Sequence, residues 1–260
     1  MKIRLGVGVE CMHLGGFDSD YQAILNRAIA LNYTLPNATQ QALQNQLLLD
    51  LKSSGAWAKM DVFYMFANNG SKEFATINWK SPSSNQASIV GSNLTFDASG
   101  FIGGASSYLD TNFNPTTGTP NFAQNNACIG VWKRTHNATA SKFLWGNSGA
   151  SSYAPSITNT DVRLHNTGGL SASFGLSNTG LLILNRTSST AISFSVNGTP
   201  TSATTSASVS PVNAKYSVFT YGTTSASAYL GQLSCWFIGQ SLVSETSALY
   251  TALNTYIATT

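Results

Sequence analysis

Charge is what this 260-residue chain has least of: Asp, Glu, Lys and Arg make up 9% of it, against about 25% in ordinary soluble domains. The 13 basic and 10 acidic residues are scattered and leave a net charge of +3. The tightest basic pair is Lys133-Arg134, so no patch is dense enough to neutralise several phosphates, and the reading excludes nucleic acid as a partner. Cysteine is also sparse. Cys11, Cys128 and Cys235 are odd in number, far apart and without CxxC spacing, which excludes a disulfide framework and reads as buried free thiols. His13, His136 and His165 are equally dispersed, so no zinc site can be assembled from these residues. No run approaches the roughly 20 apolar residues of a membrane span. The opening MKIRLGVGVECMHLGGF has no sustained apolar region, so no export signal is expected. Acids are too few and too separated for paired-carboxylate chemistry: Asp61, Glu73, Asp97, Asp110, Asp161 and Glu245 stand alone, without an E-x-D-x-x-E pattern or a G-x-S-x-G elbow. The chain reads as non-enzymatic.

What is present is a 42% hydrophobic share, enough for a packed core, under a surface where Ser, Thr, Asn, Gln and Gly replace charge. Such a surface suits proteins that assemble or bind neutral ligands such as sugars. Three regions separate by pattern. Residues 1–17 alternate Ile3, Leu5, Val7 and Val9 with polar or small residues and end at Gly15-Gly16, a period-two arm or edge strand on a hinge. Residues 18–66 read as a helical anchoring segment. Asp18 or Ser19 caps a first helix bearing Tyr21, Ile24, Leu25 and Ala28; Asn37, with Gln40 completing a capping box, opens a second with Leu43, Leu47, Leu48 and Leu51, which Gly55 ends. The run AWAKMDVFYMFA that follows is too apolar for two short helices to bury, so it is expected to pack on the next domain.

Residues 67–260 read as short strands between turns, among them Ala127–Trp132, Lys142–Leu144, Leu181–Leu184, Ile192–Val196, Tyr216–Tyr221 and Leu233–Ile238. This pattern predicts a mainly β fold, a sandwich or jelly roll. In AISFSVNGTPT, Ile192, Phe194 and Val196 alternate with serines before Asn197-Gly198, which predicts a type I′ hairpin. The tract from Thr199 to Ser210 reads as a polar edge or a loop. In the last strand Leu230, Leu233, Cys235 and Phe237 are expected to face inward, with Trp236 and Ile238 on the other face. Ser244 is expected to cap a closing helix whose Leu249, Leu253 and Tyr256 fold over the sheet.

The Asn197-Gly198 hairpin, the strand from Gly231 to Ile238, the helix from Ser244 to Tyr256 and the upstream SSYLDTNFNP together resemble concanavalin A-like jelly rolls of the laminin-G and pentraxin type. That resemblance implies a sandwich with a C-terminal helix. The order of a paired-helix segment followed by such a domain resembles virion proteins of tailed bacteriophages. It implies a structural protein assembled in the host cytoplasm and displayed on the particle as a tail fibre, tail-associated or capsid decoration component. The implied partners are other virion proteins, reached through the arm and helices, further copies of the chain, and a host-surface glycan in an attachment role. A carbohydrate-binding module recognising a host glycan is the alternative reading, and a glycan hydrolase the second. For sugar binding, Trp145 in FLWGNSGASSY, read as a loop, is the best platform, with Asn147 and Tyr153 as neighbours. No cofactor is required. The family resemblance makes Asp110 and Asn112 the weak candidates for calcium, against the simpler reading that they cap a turn.

Overall fold

The computed structural model describes residues 16–118, 120–136, 142–149, 152–155, 162–166, 177–223 and 228–260. The arm of residues 1–15, with Cys11 and His13, and Asp161 lie outside the described residues. Two helices come first, α1 (Ser19–Ala30) and α2 (Ala38–Ser53). Asp18 caps α1 by accepting from the Asp20 N–H, and Asn37 caps α2 by accepting from the Gln40 N–H. Only half of the expected capping box forms. The Asn37 N–H donates to Asn69 Oδ1, which frees the Gln40 side chain to bind elsewhere. Gly55, at φ 79°, follows α2, in the left-handed conformation that a Cβ disfavours.

One turn of helix, α3 (Ala56–Lys59), then gives way to strand β1 (Met60–Met65), where the helical segment was expected to run on to Phe66. The β-branched and aromatic sequence MDVFYM explains the switch, because both sides of that strand are buried. The strands that follow are β2 (Ser88–Val90), β3 (Thr95–Asp97), β4 (Gly100–Ile102), β5 (Tyr108–Asp110), β6 (Ala127–Lys133), β7 (Phe143–Asn147), β8 (Ser152–Pro155) and β9 (Arg163–Leu164). The last are β10 (Gly180–Arg186), β11 (Ala191–Val196), β12 (Thr199–Thr204), β13 (Tyr216–Val218) and β14 (Gln232–Gly239), before the closing helix α4 (Thr246–Ile257). An eight-stranded sheet runs β12-β11-β10-β6-β14-β4-β3, with β1 also on β14, and a six-stranded sheet runs β2-β5-β13-β7-β8-β9. Every strand ladder among the described residues is antiparallel, and the strands form the expected mainly β sandwich of jelly-roll type. At the β11–β12 hairpin Asn197 (φ 49°) and Gly198 (φ 84°) both take positive φ, as a type I′ turn requires.

The large sheet is covered on both sides. Toward the small sheet it presents Val62, Tyr64, Ile129, Val131, Leu182, Leu184, Trp236 and Ile238. Toward α1, α2 and α4 it presents Phe63, Met65, Cys128, Trp132, Leu181, Ile183, Cys235 and Phe237. The helices are therefore a third layer sharing a core with the sheet. A strand buried on both faces has no need to alternate, which is why β10 reads LLIL. The same geometry corrects the faces of β14. Trp236 and Ile238 line the sandwich core together with Leu233, while Cys235 and Phe237 face the helices. A register irregularity between Leu233 and Cys235 lets Leu233 share a face with Trp236. Gly130 lies opposite Phe237, and a Cβ there would sit 2.1 Å from that ring. Burial alone pushes the Cys235 thiol up to about 12 and raises that of Cys128 as well, so both stay protonated and unreactive.

The closing helix also departs from expectation at its start. Glu245, not Ser244, is its N-cap, without a side-chain capping bond, because the Glu245 carboxylate is drawn to Lys59 Nζ at 2.6 Å. Leu249, Leu253 and Tyr256 are buried on the sheet as expected.

Candidate functional site

The helices cover only one side of the sandwich, which leaves the outer face of the small sheet; along it Ser88 is exposed, Asp110 and Arg163 are half-buried, and Ser217, Gly146 and Tyr153 are buried. Strand pairing places a single row across it. Ser88 pairs with Asp110, Asp110 with Ser217, Ser217 with Gly146, Gly146 with Tyr153 and Tyr153 with Arg163. Their sequence neighbours Ile89, Leu109, Val218, Trp145, Ala154 and Leu164 pack into the core, and the period of two turns the row outward.

One end of the row is aromatic. Tyr153 meets Phe143 edge-on at 5.4 Å between centroids and Tyr221 at 5.1 Å, and the Arg163 guanidinium lies 5.1 Å from the Tyr153 centroid. Gly146 makes the floor, because a Cβ there would be 2.8 Å from Tyr153 Cβ and 3.0 Å from the Tyr221 ring. Phe143 and Tyr221 are half-buried, so ring surface remains open to a ligand.

The other end is polar. Asp110 Oδ1 accepts from the Asn112 N–H at 2.8 Å, and Lys215 Nζ lies 3.6 Å from Asp110 Oδ2 and donates to Asn112 Oδ1 at 2.7 Å. Beside it opens a cleft of about 290 Å³ lined by Asn85, Asn112, Phe113, Asn114, Thr117 and Lys215. Asn85 and Asn112 both have positive φ, which Asn tolerates better than most residues. Amides, hydroxyls and one ammonium can hydrogen-bond a neutral polyol. The residues proposed for calcium do not fit it. Ca²⁺ needs several oxygen ligands, and here the oxygens of Asp110 and Asn112 face a backbone N–H and the Lys215 ammonium. Their role is the turn cap. Among the described residues no cluster of three or more His, Cys, Asp or Glu side chains could hold a metal.

The sugar candidates from the sequence separate. Trp145, expected in a loop, is in β7 and only 3% exposed, and it belongs to the sandwich core. Asn147 shares its face of the strand and is 0% exposed. Neither can serve as an open platform, because FLWGN is long enough to pair between β13 and β8. Tyr153 is on the other face but is itself only 6% exposed, its ring packed by Phe143, Tyr221 and Arg163, so the ring surface left to solvent there belongs to Phe143 and Tyr221. These were missed because only strand pairing brings them together; the Gly146 gap opposite Tyr153 is the one signal in the sequence that points there.

Three of the other carboxylates singled out in the sequence are engaged structurally. Asp61 accepts from the N–H groups of Asn121 and Phe122, and burial nonetheless holds its carboxyl above the usual range. Asp97 binds Gln232 and Ser99, and Glu245 binds Lys59.

One buried side chain is titratable. His165 is fully buried, its Nδ1 donates to the Gln124 carbonyl at 3.0 Å, and Nε2 has no partner. Burial, with the Arg186 charge nearby, pushes the imidazole down to about 4. The folded pKa lies below the ordinary 6.5, so the unfolded chain takes the proton first. This contribution to stability is complete above about pH 6.5 and is lost as pH falls toward 4. Thermal melts should therefore drop more steeply between these values for the native chain than for His165→Gln. Equal slopes would contradict the assignment.

No family model matches the chain, and no curated protein matches it. Among solved structures it is similar to domain 4 of AbnA, a GH43 extracellular arabinanase from Geobacillus stearothermophilus, in complex with arabinotriose. The identity is 15% and the TM-score 0.45, over 74% of this chain and 98% of that one. It is also similar to a mutant of Trypanosoma rangeli sialidase displaying trans-sialidase activity, at 12% identity and TM-score 0.47, over 84% of this chain and 39% of that one. A third is the botulinum neurotoxin serotype D binding domain, at 13% identity and TM-score 0.45, over 75% of this chain and 52% of that one.

Proposed function

We propose that the protein is a non-enzymatic surface component of a bacteriophage virion whose open sheet face contacts a neutral host-surface saccharide. The observation that supports it is the row from Ser88 to Arg163. At its aromatic end the half-buried Phe143 and Tyr221, packed on the buried Tyr153, offer C–H stacking, and hydroxyl and amide groups at the other end offer hydrogen bonds. Hydrolysis is not favoured, since the carboxylate on that row, Asp110, is held by Asn112 and Lys215 rather than set opposite a second acid. The helical layer and the low surface charge suit packing against other virion proteins and further copies.

Two measurements test the two halves of this reading. Glycan-array binding should be lost in Tyr221→Ala and kept in Lys72→Ala, a control far from the row in sequence; no binding by the native chain would remove the saccharide role. Proteomics of purified particles should find the protein in them, and its absence would remove the virion role.

A further inference from the structure

Strand β12 ends the large sheet, and its residues are exposed apart from the half-buried Ala203. The hairpin sets which backbone groups look outward. Val196 and Thr199 flank the two-residue turn and bond each other, so Thr199, Thr201 and Ala203 turn their N–H and C=O toward β11. The Thr205 N–H continues this alternation by donating to the Thr190 carbonyl. Pro200, Ser202 and Thr204 therefore present their backbone groups to the outside. The N–H groups of Ser202 and Thr204 have no partner among the described residues.

Natural sheets guard such an edge with charged side chains, especially lysine. Here residues 187–214 contain no charged side chain, and neither do residues 246–260. The latter include α4, which packs beside the hairpin where Gly198 approaches Tyr250. The edge and the neighbouring helix thus form one uncharged surface, against which an identical surface meets no charge repulsion. Proline sits at Pro200, one of the outward positions, where its missing N–H costs β11 nothing.

We propose that β12 is an interface between two copies of the chain, pairing antiparallel about a two-fold axis at Ser202 to join the large sheets of both. In that register each Ser202 N–H donates to the Ser202 carbonyl of the second copy. Each Thr204 N–H donates to the second copy's Pro200 carbonyl. The proline's missing donor falls opposite Thr204 at the strand end, where pairing is finishing. A two-fold contact of this kind closes on itself and adds no further copies. The proposal does not depend on the saccharide reading.

The test is sedimentation of the whole native chain over a concentration series, with amide exchange on the same samples. The native chain should dimerise, with the Ser202 and Thr204 amides protected in the dimer. Ser202→Pro removes an outward donor while leaving the β11 ladder intact, and should weaken dimerisation at least about tenfold while the chain keeps its native circular dichroism. Thr204→Lys, which places a charge on the edge without touching the backbone, should do the same and decides the matter if Ser202→Pro folds poorly. A native chain that stays monomeric overturns the proposal. So does a dimer that survives Thr204→Lys with these amides unprotected.

Discussion

Trp236→Ala is expected to destabilise the protein by about 3–5 kcal/mol, the range for emptying a large aromatic site in a packed core. Trp236 is fully buried at the centre of the large sheet and pairs across strands with Tyr64 and Val131. Its ring stacks on Tyr64 at 5.9 Å, and Tyr64 stacks on Phe66 at 6.1 Å. The Tyr64 hydroxyl in turn reaches the backbone carbonyls of Asn85 and Thr111, near the polar end of the row. The cavity would lie between two sheets held by long-range ladders that cannot collapse around it. Denaturant unfolding should show the loss as a lower midpoint at unchanged slope. Trp236→Phe should cost less, since the indole N–H has no acceptor to lose. Equal losses in the two variants would show that ring volume is not what Trp236 supplies.

Tyr256→Phe is expected to cost about 2–4 kcal/mol, a large effect for removing one oxygen. The Tyr256 hydroxyl donates to the Ala67 carbonyl at 2.7 Å and accepts from Gln44 Nε2 at 2.9 Å and Gln40 Nε2 at 3.1 Å. Gln44 Oε1 accepts from the Tyr21 hydroxyl, and Gln40 Oε1 accepts from the Asn69 N–H. Apart from the half-buried bond to Asn69 all of this is buried, so α1, α2, α4 and the chain after β1 are joined by a network in which each polar group is matched. Without the hydroxyl, a carbonyl and two amide donors lose a partner away from water. Tyr256→Phe combined with Gln44→Leu and Tyr21→Phe should recover part of the loss, because the Tyr21 hydroxyl that Gln44 accepts from is removed with it and fewer groups are orphaned. Stability measured by chemical denaturation checks both variants, and a silent Tyr256→Phe would mean that water satisfies these groups.

Both predictions fall on residues whose environment the sequence shows only in part. Tyr256 lies on the apolar stripe of a short helix, and its stripe is legible; the glutamines that meet its hydroxyl lie more than 200 residues away. Gln40 is legible as a capping residue, but Asn69 takes the capping partner and turns Gln40 inward. Tyr153 was legible as an aromatic beside small polar residues. The rings that make it a site come from Phe143 and Tyr221 on other segments.

Local chemistry in the sequence by itself determined the helices, the cap at Asn37 and a first cap at Asp18 or Ser19, the hairpin at Asn197-Gly198 and the mainly β sandwich class. Each of these depends on contacts within a few residues, or on a periodicity that any partner surface would satisfy. Only the tertiary structure decided that Met60–Met65 joins the sheet, that Trp145 is core, and that Cys235 and Phe237 look toward helices while Trp236 looks into the sandwich. The reason is the third layer. Once helices bury the outer side of a sheet, both faces of its strands are apolar and alternation no longer tells inside from outside, so the facing is set by pairing and by the bulge in β14.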